Sequence, residues 1–443
     1  MVTGSSYLLT GEGGEQILVD LGMFQEKDEL SKLNYEPLSF DVTKIAGVLV
    51  THAHLDHTGR LPLLAKAGYK GKIYMTKATH MLTALVLADA AKVAAEDLDK
   101  EPLYALEDVD KVLLLIEEVA YDEAFSIGSM SVVFRDAGHI LGSGSIEVTD
   151  ATKRKIVFSG DLGNTPEDMI QPTEQVKKAE YVVVESTYGD RLHREEDPSV
   201  VLQEEINEIE KSGGVLLIPS FSIERAQELL HRINHLKNTK KIDEGTKVFL
   251  DSPMAIRATE IFRRSQELYN RELSKELKTD DPFGFPGLVL TGSAEESRAI
   301  LMSAAPKVII SGSGMMHGGR ILHHAINYLA DPKTRLLLVG YQAPGTLGRR
   351  LLDGAASNAV DGLKIAIYNQ EIIVRAHIRE IEAMSCHADQ KKLLKWLGRI
   401  KDVKKVFLTH GEDGARIALQ EKIKEELGIK NLLIPSLNQT VEL

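Results

Sequence analysis

The residues best suited to chemistry are concentrated in one short segment, THAHLDHTG, at positions 51–59. Three histidines and one aspartate occupy the six positions 52–57. Imidazole nitrogens and carboxylate oxygens are ligands that Zn²⁺ accepts in proteins. Four such side chains at this spacing suit a pair of ions about 3.5–4 Å apart better than a single ion. The segment therefore predicts a metal site.

The order of residues within this segment predicts two ligand groups. His52 and His54 alternate, and alternate residues of an extended chain point the same way. Asp56 and His57 follow where the chain turns into a predicted helix, TGRLPLLAKAG. One segment can thus present two imidazoles to one point, and a carboxylate with an imidazole to another.

A second ion needs ligands from later in the chain, and three segments offer them. The candidates are His139 in DAGHILGSGS, Asp161 in FSGDLG and His410 in FLTHGE. Asp161 is the best bridge, because the two oxygens of a carboxylate can serve both ions. Other histidines, taken singly, are more often satisfied core or surface residues: His80, His193, His231, His235, His323, His324 and His377.

The candidate residues are placed by a predicted α/β architecture. Short apolar runs such as AGVLV, KIVFSGD and YVVVE alternate with amphipathic segments such as SIERAQELLHRINHL. Polar residues of catalytic type lie at the C-terminal ends of five such runs: Asp20, His52, Asp161, Glu185 and His410. One such residue could simply begin a turn, but five indicate a site at the strand ends.

The middle of the chain has the pattern of a separate α/β unit. The 443 residues exceed one typical domain, and helical segments separate strand-like runs at 215–219, 248–250, 308–311 and 336–340. If the residues on either side of it share one site, this unit interrupts the domain that carries the site. We therefore predict a first part of that domain over 1–185, an inserted domain over 186–361 and a second part over 362–443.

The composition is typical of a globular enzyme, with 43% hydrophobic and 27% charged residues. A formal net charge of −12 argues against a generally basic nucleic-acid binder, although a local basic groove can lie on an acidic body. The single cysteine, Cys386, excludes a disulfide within the chain and favours a reducing compartment. We see no signal peptide and no membrane-spanning run, and expect a cytoplasmic protein without a membrane partner.

These residues resemble those of the metallo-β-lactamase superfamily and, within it, the β-CASP subgroup. THAHLDHTG and the later ligand candidates are similar to the superfamily ligand motifs. The segments VVVESTYGDRLH at Glu185, SCHADQ at His387 and LTHGE at His410 look like the three further motifs of the subgroup. SGSGMMHGGR and VGYQAPGTLGRRLLDG look like glycine-rich segments of its inserted domain.

The resemblance implies an αβ/βα sandwich with an inserted α/β β-CASP domain, and the hydrolysis of RNA phosphodiester bonds. It also implies two Zn²⁺ ions per chain bridged by Asp161, the first bound by His52, His54 and His139 and the second by Asp56, His57 and His410. Asp20 would orient the histidine segment. The histidine at position 410 is typical of RNA-cleaving members of the family, so we expect single-stranded RNA as the substrate.

The expected mechanism is attack on the phosphodiester by a metal-activated hydroxide. Two zinc ions, held partly by Asp56 and Asp161, would lower the pKa of a bridging water from about 15.7 towards roughly 7. His387 is the candidate general acid, and Glu185 would hydrogen-bond its other ring nitrogen. The alternative for this pair is structural, with His387 capping a helix and Glu185 serving as a buried carboxylate.

Weaker signals concern an RNA groove. Ser311, Gly312 and Gly314 lie in a glycine-rich segment whose backbone N–H groups could cradle a phosphate, although a plain tight turn has the same composition. Arg349 and Arg350 could contact phosphates or be solvated surface residues.

Other functions remain open. A two-zinc hydrolase of small esters or thioesters would need neither the insertion nor the Glu185–His387 pair. An inactive scaffold subunit of an RNA-processing complex would tend to lose ligands, and here all are present. A DNA nuclease of the same fold is a further alternative. The sequence also leaves open endonuclease against 5′ exonuclease cleavage, and the oligomeric state, for which a homodimer is one option.

Overall fold

The computed structural model describes residues 3–25, 28–97, 101–164, 169–343, 345–357 and 362–443. Two compact units account for the chain. The first combines Met1–Leu192 with His387–Leu443, and the second is His193–Cys386. The boundaries predicted from the sequence, after 185 and after 361, stay predictions, and residue 361 itself lies outside the described residues.

Strands and helices alternate along the chain. Up to residue 192 the elements are β1 (Tyr7–Thr10), β2 (Gln16–Val19), α1 (Asp28–Ser31), β3 (Ile45–Leu49), α2 (Leu55–Thr58), α3 (Leu61–Lys66), β4 (Lys72–Thr76), α4 (Lys77–Glu96), α5 (Leu106–Leu113), β5 (Ile116–Val119), β6 (Ala124–Ile127), β7 (Met130–Asp136), β8 (Gly144–Thr149), β9 (Lys155–Phe158) and β10 (Tyr181–Val184). The second unit contains α6 (Pro198–Ser212), β11 (Val215–Pro219), α7 (Arg225–Asn238), β12 (Lys247–Asp251), α8 (Pro253–Arg263), α9 (Arg271–Glu276), β13 (Leu288–Leu290), α10 (Ala294–Ala299), β14 (Lys307–Ser311), α11 (Arg320–Tyr328), β15 (Arg335–Leu338), α12 (Leu347–Ala356), β16 (Lys364–Ile367), β17 (Gln370–Ile373) and β18 (His377–Glu380). The chain then returns to the first unit with α13 (Gln390–Leu397), β19 (Lys405–Leu408), α14 (Asp413–Lys422) and β20 (Leu432–Leu433).

The first unit is a sandwich of two sheets with helices outside. The sheets have the strand orders β1-β2-β3-β4-β5 and β20-β19-β10-β9-β8-β7-β6. Because alternate residues of a strand point to opposite faces, Val183 of β10 packs in the core shared by both sheets. Its neighbours Val182 and Val184 pack in a separate core with residues of α13 and α14. A third core joins β3 and β4 to α3, α4 and α5. The predicted αβ/βα sandwich is confirmed.

Helix α4 meets the length and composition of a membrane-spanning helix. One such helix is weak evidence, because core helices of water-soluble proteins meet the same criterion. Leu87 and Ala91 of α4 pack in the core outside β3 and β4. The expected lack of a membrane partner stays a prediction.

The second unit is built on a parallel sheet with the strand order β13-β12-β14-β11-β15-β18. Its central strands are buried on both faces, as expected when helices cover a parallel sheet, and the four strands predicted here are confirmed to within a few residues. The hairpin β16–β17 contributes Ile365 and Ile372 to a core that also contains Leu217 of β11 and Ile309 of β14. Residues 364–380 therefore belong to the second unit.

Candidate metal centre

The candidate side chains converge at the C-terminal ends of strands in the first unit. Asp20 follows β2, His52 follows β3, Asp161 follows β9, Glu185 follows β10 and His410 follows β19. Strands β2 and β3 are parallel neighbours, and so are β9, β10 and β19. Parallel neighbours end on the same edge of a sheet, so the strand-end pattern in the sequence correctly indicated convergence.

Two of these residues adopt left-handed backbone conformations that non-glycine residues rarely adopt. The φ angles are 57° at Asp20 and 46° at His410. Backbone hydrogen bonds hold both in place, from Asp20 N to Leu49 O at 2.8 Å and from Ser186 N to His410 O at 3.0 Å. Such conformations cost on the order of 1–3 kcal/mol each and are concentrated at functional sites.

A first group of ligand-type atoms surrounds one oxygen of Asp161. His54 Nδ1 lies 3.1 Å from His52 Nε2 and 3.3 Å from His139 Nε2. Asp161 Oδ2 lies 3.5 Å from His52 Nε2 and 3.6 Å from His139 Nε2. Four donor atoms from distant parts of the chain therefore face one point.

A second group surrounds the other oxygen of the same carboxylate. Asp161 Oδ1 lies 3.4 Å from His57 Nε2 and 3.5 Å from His410 Nδ1. The other ring nitrogen of His410, Nε2, lies 3.2 Å from Asp56 Oδ2. Asp161 thus lies between the two groups and offers one oxygen to each.

The chemistry of these atoms fits bound cations. Asp161 is 1% exposed, and neither of its oxygens receives a hydrogen bond within the described part of the chain. A buried carboxylate without hydrogen bonds is costly unless cations offset its charge. Burial raises the pKa of Asp161, but the imidazoles of His410 and His57 outweigh this and hold it well below its usual range.

The imidazoles of the first group are in the state that metal binding requires. Burial lowers the pKa of His54 to about 4, and it lowers the pKa of His52 well below its usual value. Both rings are therefore neutral at pH 7, and neutral imidazole is the form that binds a metal ion.

Asp20 orients the histidine segment. Its Oδ2 accepts hydrogen bonds from His57 Nδ1 and from Thr51 Oγ1, both at 2.8 Å, and its Oδ1 accepts from Thr51 N at 2.8 Å. With a proton on Nδ1, His57 directs Nε2 towards Asp161. Burial lowers the pKa of His57, but the carboxylates of Asp161 and Asp20 raise it well above the usual value.

The chain that carries Asp20 packs closely against the histidine segment. Hydrogen bonds run from Leu21 N to His57 O at 2.9 Å and from Met23 N to Leu55 O at 2.8 Å. A Cβ at Gly22 would lie 1.6 Å from the carbonyl oxygen of Asp56. Only glycine allows this approach, which fixes the path of the backbone at Asp56 and His57.

The partly exposed His387 and the buried Glu185 form a pair beside the centre. His387 Nδ1 lies 3.4 Å from Glu185 Oε2 and 3.9 Å from Asp161 Oδ2. The oxygens of Glu185 accept hydrogen bonds from Leu162 N at 2.7 Å and from Thr187 N at 3.2 Å, which fix its orientation. Burial lowers the pKa of His387, but the Glu185 carboxylate raises it to about 9.

The alternative in which His387 caps a helix is wrong. The cap of α13 is Asp389, whose side chain accepts a hydrogen bond from Lys392 N at 3.0 Å. The side chain of His387 is instead 17% exposed beside Asp161. It therefore faces the cluster and retains access to solvent.

Three hydroxyl residues near the centre were missed by the sequence analysis. Besides Thr51, these are Ser143, whose Oγ accepts from His139 N at 3.0 Å, and Thr187, whose Oγ1 lies 3.1 Å from His410 Nδ1. Each lies beside a candidate in the chain, inside THAHLDHTG, DAGHILGSGS or VVVESTYGDRLH. Hydroxyls within ligand motifs are the signal that would have indicated them.

The predicted groove residues lie in the second unit. Ser311, Gly312 and Gly314 are at the end of β14 and in the loop that follows. A backbone hydrogen bond of 3.3 Å joins this loop to the first turn of α12, which carries Arg349 and Arg350. Arg349 forms an ion pair of 2.8 Å within α12. The loop and the two arginines are adjacent, and their role in binding RNA stays a prediction.

Three family models match the chain. Residues 2–181 match the metallo-beta-lactamase superfamily, residues 226–351 match the Beta-Casp domain, and residues 371–435 match the Zn-dependent metallo-hydrolase RNA specificity domain.

Similar proteins cover nearly the whole chain. Ribonuclease TTHA0252 of Thermus thermophilus is 38% identical over 94% of this chain and 92% of its own length. RNase aCSPSF2 of Saccharolobus solfataricus is 31% identical over 99% of this chain and 83% of its own. Transcription termination factor FttA of Methanosarcina mazei is also 31% identical, over 99% of this chain and 70% of its own.

One similar solved structure is the crystal structure of a protein of unknown function from Enterococcus faecalis V583. Its TM-score is 0.54 at 14% identity, and the match covers 98% of this chain and 96% of that chain. At this identity the likeness concerns the fold alone.

Proposed function

Because this chain belongs to the β-CASP subgroup of the metallo-β-lactamase superfamily, we propose that it is a metal-dependent ribonuclease. The observation that carries the proposal is the buried carboxylate of Asp161, whose two oxygens face separate groups of imidazoles. The match to an RNA specificity domain and the similarity to ribonucleases support RNA as the substrate.

Membership of the superfamily implies metal ions, and we propose two Zn²⁺ per chain bridged by Asp161. The first group of residues is His52, His54 and His139, and the second is Asp56, His57 and His410. Imidazole nitrogen with carboxylate oxygen is a ligand set that suits zinc. When bound, the pair of ions supplies a water nucleophile at neutral pH and offsets the charge of the phosphoryl oxygens.

We propose that His387 donates a proton to the departing sugar oxygen. Its Nδ1 faces Glu185 and Asp161, and we assign the transfer of the proton to its Nε2. The Glu185 carboxylate, held by two backbone N–H groups, favours the imidazolium form. A raised pKa of about 9 keeps the ring protonated at neutral pH, as a general acid requires.

The setting of the reaction is also a proposal. The single cysteine supports a reducing cytoplasm. We propose single-stranded RNA as the substrate, because unpaired backbone can enter a centre in which five of the seven ligand residues are buried. A homodimer stays a prediction. The assay below separates cleavage within the strand from cleavage at the 5′ end.

The test is a cleavage assay on matched linear RNA, circular RNA and single-stranded DNA, with and without a chelator. We expect cleavage of RNA in preference to DNA, loss of cleavage with chelator and recovery with added zinc. Cleavage of the circle would establish endonuclease activity. Asp161→Asn should abolish cleavage, whereas Glu118→Gln, which alters an exposed carboxylate paired with His80, should not.

Three results would contradict the proposal. Cleavage that persists in chelator would remove the metal argument. Faster cleavage of DNA would favour a DNA nuclease. Hydrolysis of a thioester such as an acyl-glutathione, with intact RNA, would favour a small-molecule hydrolase.

A further inference from the structure

A second group of histidines lies in the second unit, on the helix α7. His231 and His235 are one turn apart, and their Nε2 atoms lie 3.1 Å from each other. The carboxylate of Glu276 on α9 meets both, with Oε2 at 3.0 Å from His231 Nε2 and 3.1 Å from His235 Nε2. Three donor atoms thus form an almost equilateral triangle.

The size of this triangle matches one face of a zinc coordination sphere. A triangle with these sides has a centre about 1.8 Å from each corner, slightly less than the roughly 2.0–2.1 Å of zinc–nitrogen and zinc–oxygen bonds. An ion at bonding distance from all three atoms therefore lies about 1 Å outside their plane. Its fourth tetrahedral position then points away from the three side chains.

Protons alone do not satisfy the three contacts. If His231 and His235 both donate Nε2–H to Glu276, two N–H groups face each other across 3.1 Å. If only one of the two rings carries a proton at Nε2, the unprotonated Nε2 of the other ring faces the carboxylate oxygen of Glu276 with no proton between them. A cation that accepts a lone pair from each of the three atoms removes this conflict.

The surrounding contacts hold the three residues in position. His231, Asn234, His235 and Asn238 form one polar stripe of α7. Asn234 Nδ2 and Asn238 Nδ2 donate to Asp280 Oδ2 at 3.0 and 2.8 Å, which ties this stripe to the chain just after α9. His231 is buried and the side chain of His235 is half-exposed, so an ion can reach the site from solvent.

We propose that His231, His235 and Glu276 form a Zn²⁺ site in the second unit. Two histidines four residues apart on a helix, with a carboxylate from another element, also hold zinc in some hydrolases, where a glutamate follows the first histidine and acts as the base. Here that position is Arg232, which pairs with Glu228 at 2.9 Å. The ion therefore stabilises the packing of α7 against α9, and no hydrolytic step is assigned to it.

The test measures zinc per chain in the full-length protein at equilibrium with buffered free zinc. Glu276→Gln removes one anionic ligand and keeps the size of the side chain, and we expect it to bind one equivalent less than the wild type. Loss of a contact that supports a zinc ligand costs roughly 10–100-fold in metal affinity. Because Glu276 is itself a proposed ligand, its replacement should lower the zinc affinity of this site by more than that. His235→Ala, at a half-exposed position, should give the same result.

The matched control is Glu272→Gln, an exposed carboxylate on the same helix, which should bind as much zinc as the wild type. RNA cleavage should be unchanged in Glu276→Gln, His235→Ala and Glu272→Gln. Because zinc binding is measured separately from cleavage, the zinc stoichiometry stays interpretable even if the ribonuclease proposal fails. Zinc should raise the melting temperature of the wild type more than that of Glu276→Gln. Equal zinc stoichiometry and equal zinc-induced stabilisation in Glu276→Gln and Glu272→Gln would overturn the proposal.

Discussion

Replacement of Glu185 by glutamine tests the link between the carboxylate and the proton on His387. The change removes the negative charge 3.4 Å from His387 Nδ1. Glutamine can still accept the hydrogen bond from Leu162 N, but its amide nitrogen would then face Thr187 N. We therefore expect some loss of stability, on the order of 1–3 kcal/mol for a buried N–H without an acceptor.

The size of the effect on the reaction follows from the pKa of His387. The Glu185 carboxylate is the main cause that raises this pKa to about 9 against burial. The difference between this pKa and the ordinary histidine pKa of about 6.5 corresponds to a free energy of roughly 3 kcal/mol. If the variant returns to about 6.5, the protonated fraction near pH 8 falls from about nine-tenths to about 3%, while near pH 6 it stays above about 70%. The rate should therefore fall about 30-fold near pH 8 and less than twofold near pH 6.

The assay is single-turnover cleavage of a labelled RNA from about pH 5.5 to about pH 10 at saturating zinc. Wild type should lose rate at alkaline pH, because the Glu185 carboxylate raises the pKa of His387, and Glu185→Gln should lose it at a lower pH. Glu118→Gln, which alters an exposed carboxylate beside His80, is the matched control and should keep the wild-type profile. An equal loss of rate at every pH would refute the reasoning, because Glu185 would then act through structure and not through the proton.

Three further outcomes are expected. In Asp20→Asn the single amide oxygen cannot accept hydrogen bonds from both Thr51 N and His57 Nδ1. Chelator competition should therefore show a metal affinity reduced roughly 10–100-fold, and an unchanged affinity would contradict the orienting role of Asp20. In Gly22→Ala the new Cβ meets the Asp56 carbonyl oxygen at 1.6 Å, so thermal unfolding should show a loss of about 1–3 kcal/mol or more, and an unchanged melting temperature would refute the close packing. In metal-stripped protein the raised pKa of His387 adds roughly 3 kcal/mol to the free energy of unfolding below about pH 6.5, and this contribution is lost as pH rises through about 9. Urea unfolding should show that loss in wild type but not in Glu185→Gln.

The candidate site was predictable where a short motif carries its own geometry. His52, His54, Asp56 and His57 lie in one segment directly after a strand, so their convergence follows from local chain direction. The pairing of β9, β10 and β19 in register then brings together candidates that are far apart in the chain. The αβ/βα sandwich followed only from the resemblance to the family, because β9, β10 and β19 are buried on both faces and carry no alternating pattern.

What the sequence did not reveal depends on contacts between distant residues. The strand β18 pairs with β15, with Arg335 opposite His377, and no local pattern indicates that residues just beyond the predicted insertion belong to its sheet. The spacing of His231 and His235 was visible on a predicted helix. Their partner Glu276 lies about 40 residues later, so only tertiary structure shows that three ligand-type atoms meet.

The pairing of Tyr181 with Lys405 also governs when activity can arise during protein synthesis. These partners in neighbouring strands are separated by about 220 residues of chain. A ribosome therefore releases His52, His54, His139 and Asp161 long before His410 emerges. Closing so long a loop costs little more than closing a shorter one, about 0.6 kcal/mol for each doubling of length. The delay is thus cheap for the finished fold, and it leaves the nascent chain without the complete proposed cleavage centre beside the messenger RNA that encodes it.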